Sequence, residues 1–343
     1  MTARDERLAL LVQMVAVEQV TEAELIAAMR AGGALREIPT VREFLPVVRN
    51  ATTDKSARTM SSYWTRLAAQ LGELRLDEVL PSHIESFAVH CQEHATRRAN
   101  AGGGTGAARN AISTARAFFR RAVNDGLIRA NPASAVPKPK RNSRQRRALD
   151  QHELADRAQV TGTTGRDTEL DTLLFRFHLE TAARRGGALS LMAGALDRRR
   201  QTVTLLEKGD KRREVPVSGY LLEHLLAHCE ARSRGAVTAT TPVFHYKDGT
   251  ALTRRHYNSL AERWQGHLPW AARLGVSVHW LRHTALTDVE RLCGKAVARA
   301  LAGHEAGSVT DVYTEATFEE VAYAQSLRTG ETHPLAVRPT GTP

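Results

Sequence analysis

Apolar residues recur three and four positions apart along most of the chain, a pattern that predicts a mainly helical protein. Helix starts are marked where a hydroxyl stands three residues before a glutamate. Thr21 to Glu24, Thr40 to Glu43 and Ser82 to Glu85 all have this capping-box form. Residues 1–35 read as a helical extension of two short helices ending at Gly32-Gly33, and residues 36–134 as a domain of four or five helices. A second, mainly helical domain spans 151–329, and a proline-containing, apolar-poor tail over 330–343 is expected to be mobile. The helical period breaks at TVTLLEKGDKRREVPV (202–217), where two β-rich runs flank a Gly-Asp turn and predict a hairpin. The expected fold class is mainly α with a small antiparallel sheet in the second of two domains.

The last helix of the first domain, after the loose AGGGTG loop (101–106), has two unlike faces. Ile112, Ala115, Phe119, Ala122 and Val123 share one; Arg109, Ser113, Arg116 and Arg120 share the other. Such a basic stripe suits a DNA backbone, and equally a solvated face. The segment NPASAVPKPKRNSRQRRALD (131–150) follows. Its prolines favour an extended path, so 135–150 reads as an interdomain linker. Lys138, Lys140, Arg141, Arg144, Arg146 and Arg147 make it strongly cationic. A localisation signal, a plain connector and a tether lying against phosphates all fit.

Composition narrows the partner. The 343 residues carry 48 Lys and Arg against 37 Asp and Glu, a net charge of +11 that favours a polyanion. No stretch is apolar enough to span a bilayer, and Leu8–Val17 is interrupted as an amphipathic helix would be. The scattered, odd set Cys91, Cys229 and Cys293 suits reduced thiols in a cytoplasmic protein.

Four islands of the second domain could carry chemistry: LETAARRGGALSL (179–191), EKGDKRR (207–213), HWLRH (279–283) and AGHEAGSVTDVYTEA (302–316). Singly each is unremarkable. Together they supply what cleavage of a phosphodiester needs. Arg184 and Arg282 can place guanidinium forks on the non-bridging oxygens, and both stay protonated at any working pH. Lys208 can protonate a leaving alkoxide. Tyr313 can attack phosphorus if a base and a positive field assist, for which His279 and His304 are the candidates. The scheme calls for no metal and no cofactor, and no carboxylate cluster offers a metal site.

These islands resemble, in order and spacing, the boxes of the tyrosine recombinases, the phage-integrase family of site-specific recombinases. The resemblance covers roughly residues 40–328. TAARRGGAL (181–189) is similar to the first box, which marks Arg184 as a catalytic arginine with Arg185 as the fallback. EKGDKRREVPV (207–217) is similar to the lysine hairpin and marks Lys208, with Lys211 as the fallback. HWLRH resembles the second box, giving His279 and Arg282 catalytic roles and His283 a supporting one. The last box marks His304 and the nucleophile Tyr313. Ala182 stands where the family usually has Gly, Gly187 where Glu is common, and Ala302 where Leu is frequent.

The resemblance implies a C-shaped two-domain clamp on double-stranded DNA, built from a helical SAM-like core-binding domain and a catalytic domain. It implies a 3′-phosphotyrosyl intermediate, strand exchange between two duplexes without metal or ATP, and a homotetramer on paired sites. A directionality or accessory factor is a further candidate partner. The basic linker residues, Arg109, Arg116, Arg120, Lys211 and Arg213 are the expected DNA contacts. Two other readings stand beside this one: a catalytically silent DNA-binding accessory protein, and a type IB topoisomerase-like enzyme that nicks and reseals. His83, His90, Cys91 and His94 lie on one helix, but there they flank an apolar face, as a half-buried helix edge would.

Overall fold

The computed structural model describes residues 21, 23–24, 37–95, 103–140, 147–207, 211–303 and 316–338. Lys208, His304 and Tyr313, the linker residues Arg141, Arg144 and Arg146, and nearly all of the 1–35 extension lie outside the described residues. The chain divides into two compact units, Met1–Asn142 and Ser143–Pro343.

The first unit contains α1 (Val41–Asn50), α2 (Asp54–Leu71), α3 (Pro81–Glu93) and α4 (Thr105–Asn124). Thr40 caps α1 through the box with Glu43 that its sequence announces. The Ser82–Glu85 box does not form. Pro81 takes the first helical position, where its missing N–H costs nothing, and the Leu80 N–H donates to His83 Nδ1 instead. Trp64, Phe87, Ile112, Phe118 and Phe119 fill the core, with Phe118 meeting Phe44 edge to face.

Two arginines of the α4 stripe do not face outward. Arg109 Nη1 donates to the Pro139 carbonyl, and Arg116 donates to those of Ala133 (3.0 Å) and Val136 (2.7 Å). Beyond one 3-10 turn at Pro132–Ser134, the prolines of 132–139 leave that segment without helical or strand partners, so its carbonyls need side-chain donors. Arg109 and Arg116, expected as DNA contacts, thus spend these donors on the chain's own backbone. Arg120 is exposed, as are Lys138 and Lys140.

The linker is also shorter than 135–150. Val136 is buried in the first core. At the other end Leu149 is buried in the second unit, where its N–H donates to Thr284 Oγ1 at 3.0 Å. Arg147 pairs with Glu153, next to the Asp150 cap of α5.

The second unit runs α5 (Gln151–Thr163), α6 (Thr168–Thr181), α7 (Arg185–Leu189), β1 (Leu196–Asp197), β2 (Thr202–Leu206), β3 (Arg212–Pro216), α8 (Gly219–Arg232), α9 (Arg254–His267), α10 (Pro269–Leu274), α11 (His279–Ala302) and α12 (Phe318–Thr329). The strands form one antiparallel sheet in the order β1-β2-β3, with Val203 opposite Val215 and Leu205 opposite Arg213. The hairpin is as the sequence predicts; β1 is too short to carry a pattern of its own. Helix α6 packs against α5, α8 and α11, and α12 lies against α11 and β3. Residues 331–337 dock rather than dangle. His333 is buried with its Nε2 2.9 Å from the Gln201 carbonyl, and the Val337 N–H reaches the Glu319 carbonyl at 3.3 Å.

Helix α6 is tied to α9 by charge. Its fully buried Asp171 meets His256 Nε2 at 2.6 Å and the Arg263 guanidinium on its other oxygen. Removing one partner of a buried ionic group strands the others. Asp171→Ala is therefore expected to destabilise the second unit by about 3–5 kcal/mol in urea unfolding. His178, also on α6, is fully buried between the Ala183 carbonyl (3.0 Å from Nδ1) and the Tyr257 hydroxyl (2.9 Å from Nε2). Burial above all pulls its pKa down to about 4. The unfolded chain, whose histidines titrate near about 6.5, binds more protons between these limits. Unfolding free energy should thus be flat above about pH 6.5 and fall as pH drops towards about 4, with the loss smaller in His178→Gln.

Candidate active site

The site forms where two helices end. Helix α6 stops at Ala182, which adopts the left-handed conformation (φ 48°, ψ 26°), and α11 stops at Gly303 (φ 64°). Both ends leave backbone carbonyls without helical partners and carry the negative pole of the helix dipole. Two buried arginines bridge them. Arg282 Nη1 donates to the Ala182 carbonyl and its Nη2 to the Ala302 carbonyl at 2.8 Å. Arg213 Nη1 donates to the Leu301 carbonyl and, at 3.4 Å, to that of Thr181. Gly303 is required twice over. Its φ disfavours any side chain, and a Cβ there would lie 2.5 Å from Arg213 Cδ.

Arg184 leaves the α6 terminus in extended conformation and caps α7 from outside the helix. Its guanidinium meets Glu207 Oε2, while Glu207 Oε1 accepts from Arg213 Nη2 at 3.0 Å. Arg184 keeps 41% of its side-chain surface exposed; Glu207 keeps 8%. The electrostatics are tightly shared. Burial first, then Arg184 and Arg213, pull the Arg282 pKa down to about 10, with Glu207 opposing, so Arg282 remains cationic at neutral pH. Burial pushes the Glu207 carboxyl up, but Arg184 and Arg213 outweigh it and hold it below its ordinary range.

In HWLRH the helix separates the cations. Arg282 points inward, whereas His279 is exposed and His283 half-buried one turn on, their rings edge to face at 5.5 Å. Beside them lies a cavity of about 350 Å³ lined by His178, Arg185, Tyr257, Ser277 and His279. Arg185 belongs to this side, where Arg254 is its charged neighbour; Arg184 belongs to the cluster of Arg213 and Arg282.

The structure thus brings together Arg184 and Arg282 from the predicted set and places His279 at the start of the helix that carries Arg282. Lys211 is exposed at the turn end of the hairpin, just before β3. Arg213 departs from expectation as a DNA contact, because its guanidinium is spent inward on Glu207 and on two carbonyls. Glu207, His178 and Tyr257 were not anticipated as parts of the site. A signal for two of the unforeseen placements exists in strand alternation. Val203 and Leu205 face the core, and the next position of that phase is Glu207; Val217 and Val215 lead likewise to Arg213. Among the described residues no group of His, Cys, Asp and Glu could hold a metal ion.

Comparison with known proteins bears on the family and the fold. A sequence model described as "Phage integrase family" matches residues 148–320. Tyrosine recombinase XerC of Vibrio atlanticus is 29% identical over 229 residues, covering 66% of this chain and 71% of that protein. The fold is similar to that of a lambda integrase dimer bound to a COC' core site (TM-score 0.63, 16% identity, 92% of this chain and 88% of that one). A lambda integrase tetramer bound to a Holliday junction matches comparably (TM-score 0.61, 15% identity, 90% of each chain). The chain belongs to the phage integrase family, the tyrosine-type site-specific DNA recombinases.

Proposed function

We propose that the enzyme cuts one strand of a duplex at a time with Tyr313 and passes the strand to a second duplex. The observation that carries the assignment of roles is the convergence of Arg184 and Arg282, with the buried Arg213 and Glu207, on the paired ends of α6 and α11. Cation forks anchored in the fold, Arg282 by backbone carbonyls and Arg184 by Glu207, stay in place as negative charge builds on phosphorus, which is how preorganised sites lower a barrier. Arg184 and Arg282 take the non-bridging oxygens. The Tyr313 oxygen bonds to phosphorus and its proton passes to His279 or His304. The bond from phosphorus to the 5′-oxygen breaks, and Lys208 protonates that oxygen. A 3′-phosphotyrosine and a free 5′-hydroxyl result. The 5′-hydroxyl of a partner duplex reverses the step, so the bond energy is kept and no ATP is needed.

Exchange between two duplexes calls for four protomers on paired sites, which is consistent with the tetrameric lambda integrase neighbour. DNA enters this reading through the neighbours solved on DNA and through the net charge of +11. Arg120, Lys138, Lys140, Arg147 and Lys211 are the exposed cations assigned to its backbone, alongside Arg141, Arg144 and Arg146. An accessory factor that sets direction belongs to the same reading. So does a cytoplasmic, nucleoid-associated location; among the described residues no helix is long and apolar enough to cross a membrane.

The test starts from duplexes that the purified protein selects out of a sequence-randomised pool. Each is nicked a short way beyond a candidate scissile phosphate, so that the leaving strand drifts off after cleavage. Wild-type protein should form an SDS-resistant adduct and Tyr313→Phe none. Binding without an adduct would leave only the accessory-protein reading, and adduct without recombined product from two duplexes would favour nicking and resealing. Arg184→Ala should slow adduct formation roughly a hundred- to thousandfold. A methylphosphonate at the scissile position, which lacks the charge that Arg184 offsets, should make that variant's defect smaller.

A further inference from the structure

We propose that Glu207 is a positioning residue for strand cleavage, holding the Arg184 guanidinium at the phosphate subsite; the proposal rests on the function given above. Of the guanidiniums clustered at the two helix ends, Arg213 and Arg282 are buried and fixed by backbone carbonyls. Arg184 is the half-exposed one, and its guanidinium pairs with Glu207. A long arginine side chain with no anchor keeps most of its rotamer freedom, and two like charges next to it would drive it towards solvent.

Glu207 opposes both effects. One carboxylate oxygen takes Arg184 Nη1, and the other takes Arg213 Nε at 3.3 Å and Nη2 at 3.0 Å. Because Arg213 is itself pinned to the ends of α6 and α11, the carboxylate joins Arg184 to the scaffold that fixes Arg282. The cluster keeps a net positive charge of two, enough to meet a phosphate whose charge grows in the transition state. Placement explains the carboxylate's site as well. Glu207 continues the inward phase of β2, and α7 lies against that strand end: a Cβ added at Gly187 would lie 3.8 Å from Leu205 Cδ2 and from the Leu206 carbonyl.

The role predicts a defect in the chemical step without one in binding. On a nicked duplex selected as above, Glu207→Gln should bind with wild-type affinity and form the phosphotyrosyl adduct about tenfold to a hundredfold more slowly in single turnover. Glu207→Asp, which keeps the charge, should recover part of the rate. A double-mutant cycle separates positioning from a fold role. In an Arg184→Ala background, Glu207→Gln should cost little more, because the group it positions is gone. Wild-type cleavage by Glu207→Gln, or penalties that multiply in the double variant, would overturn the inference. Absence of any adduct with wild-type protein, or an undiminished adduct with Tyr313→Phe, would instead overturn the underlying reaction.

Discussion

The end of helix α6 is the constraint on which the catalytic unit is built. A helix leaves its last carbonyls unpaired, and burying them unpaired is costly. Here every carbonyl from Leu179 to Ala183 is met by a side chain from elsewhere or by the helix's own histidine. Arg328 reaches Leu179 at 2.7 Å and Gln325 reaches Glu180 at 3.0 Å, both from α12. Arg213 of β3 takes Thr181, Arg282 of α11 takes Ala182, and His178 takes Ala183. The sheet and the last two helices therefore dock on one turn of backbone. The residue emerging from that turn is Arg184. Folding the domain and placing the cation proposed for the phosphate are the same event.

Left-handed Ala182 makes this possible at some cost. A non-glycine residue there is strained by about 1–2 kcal/mol. It turns the chain so that its own carbonyl faces Arg282 and the next residues run extended towards the sheet. The strain is tolerated because the surrounding hydrogen bonds over-determine the conformation.

Much of this was legible in the sequence, and the rest failed for identifiable reasons. Helix periods, the Thr40 cap and the hairpin come from local chemistry, and local chemistry survives packing. The identity of Arg184 and Arg282 follows from motif order. What a guanidinium does could not be read the same way. Arg109, Arg116 and Arg213 all look like surface cations in a basic chain, yet each satisfies carbonyls that lie 20 or more residues away in sequence. Those acceptors exist only once proline-rich or helix-terminal backbone has been folded against them. Strand alternation would have turned Glu207 and Arg213 inward, but a charged pair in a lysine-rich turn invites the opposite reading. Val136 and Leu149 show the same limit for the linker, since single apolar anchors leave no periodicity.

The choice of acceptors bears on the chemistry. A carboxylate partner fixes an arginine but also cancels its charge, whereas a carbonyl fixes it with only a partial charge. Arg282 is held by two carbonyls and so offers nearly its full charge to a phosphate. Arg184 and Arg213 divide one carboxylate between them, so neither is fully neutralised. The cluster is thus rigid and still electropositive, a combination that a separate carboxylate for each cation would not give. The neighbouring cations Arg184 and Arg213, which add to burial in lowering the Arg282 pKa to about 10, also favour an arriving anion. In the proposed reaction a scissile phosphate supplies that anion, and its growing charge in the transition state is what this arrangement would stabilise most.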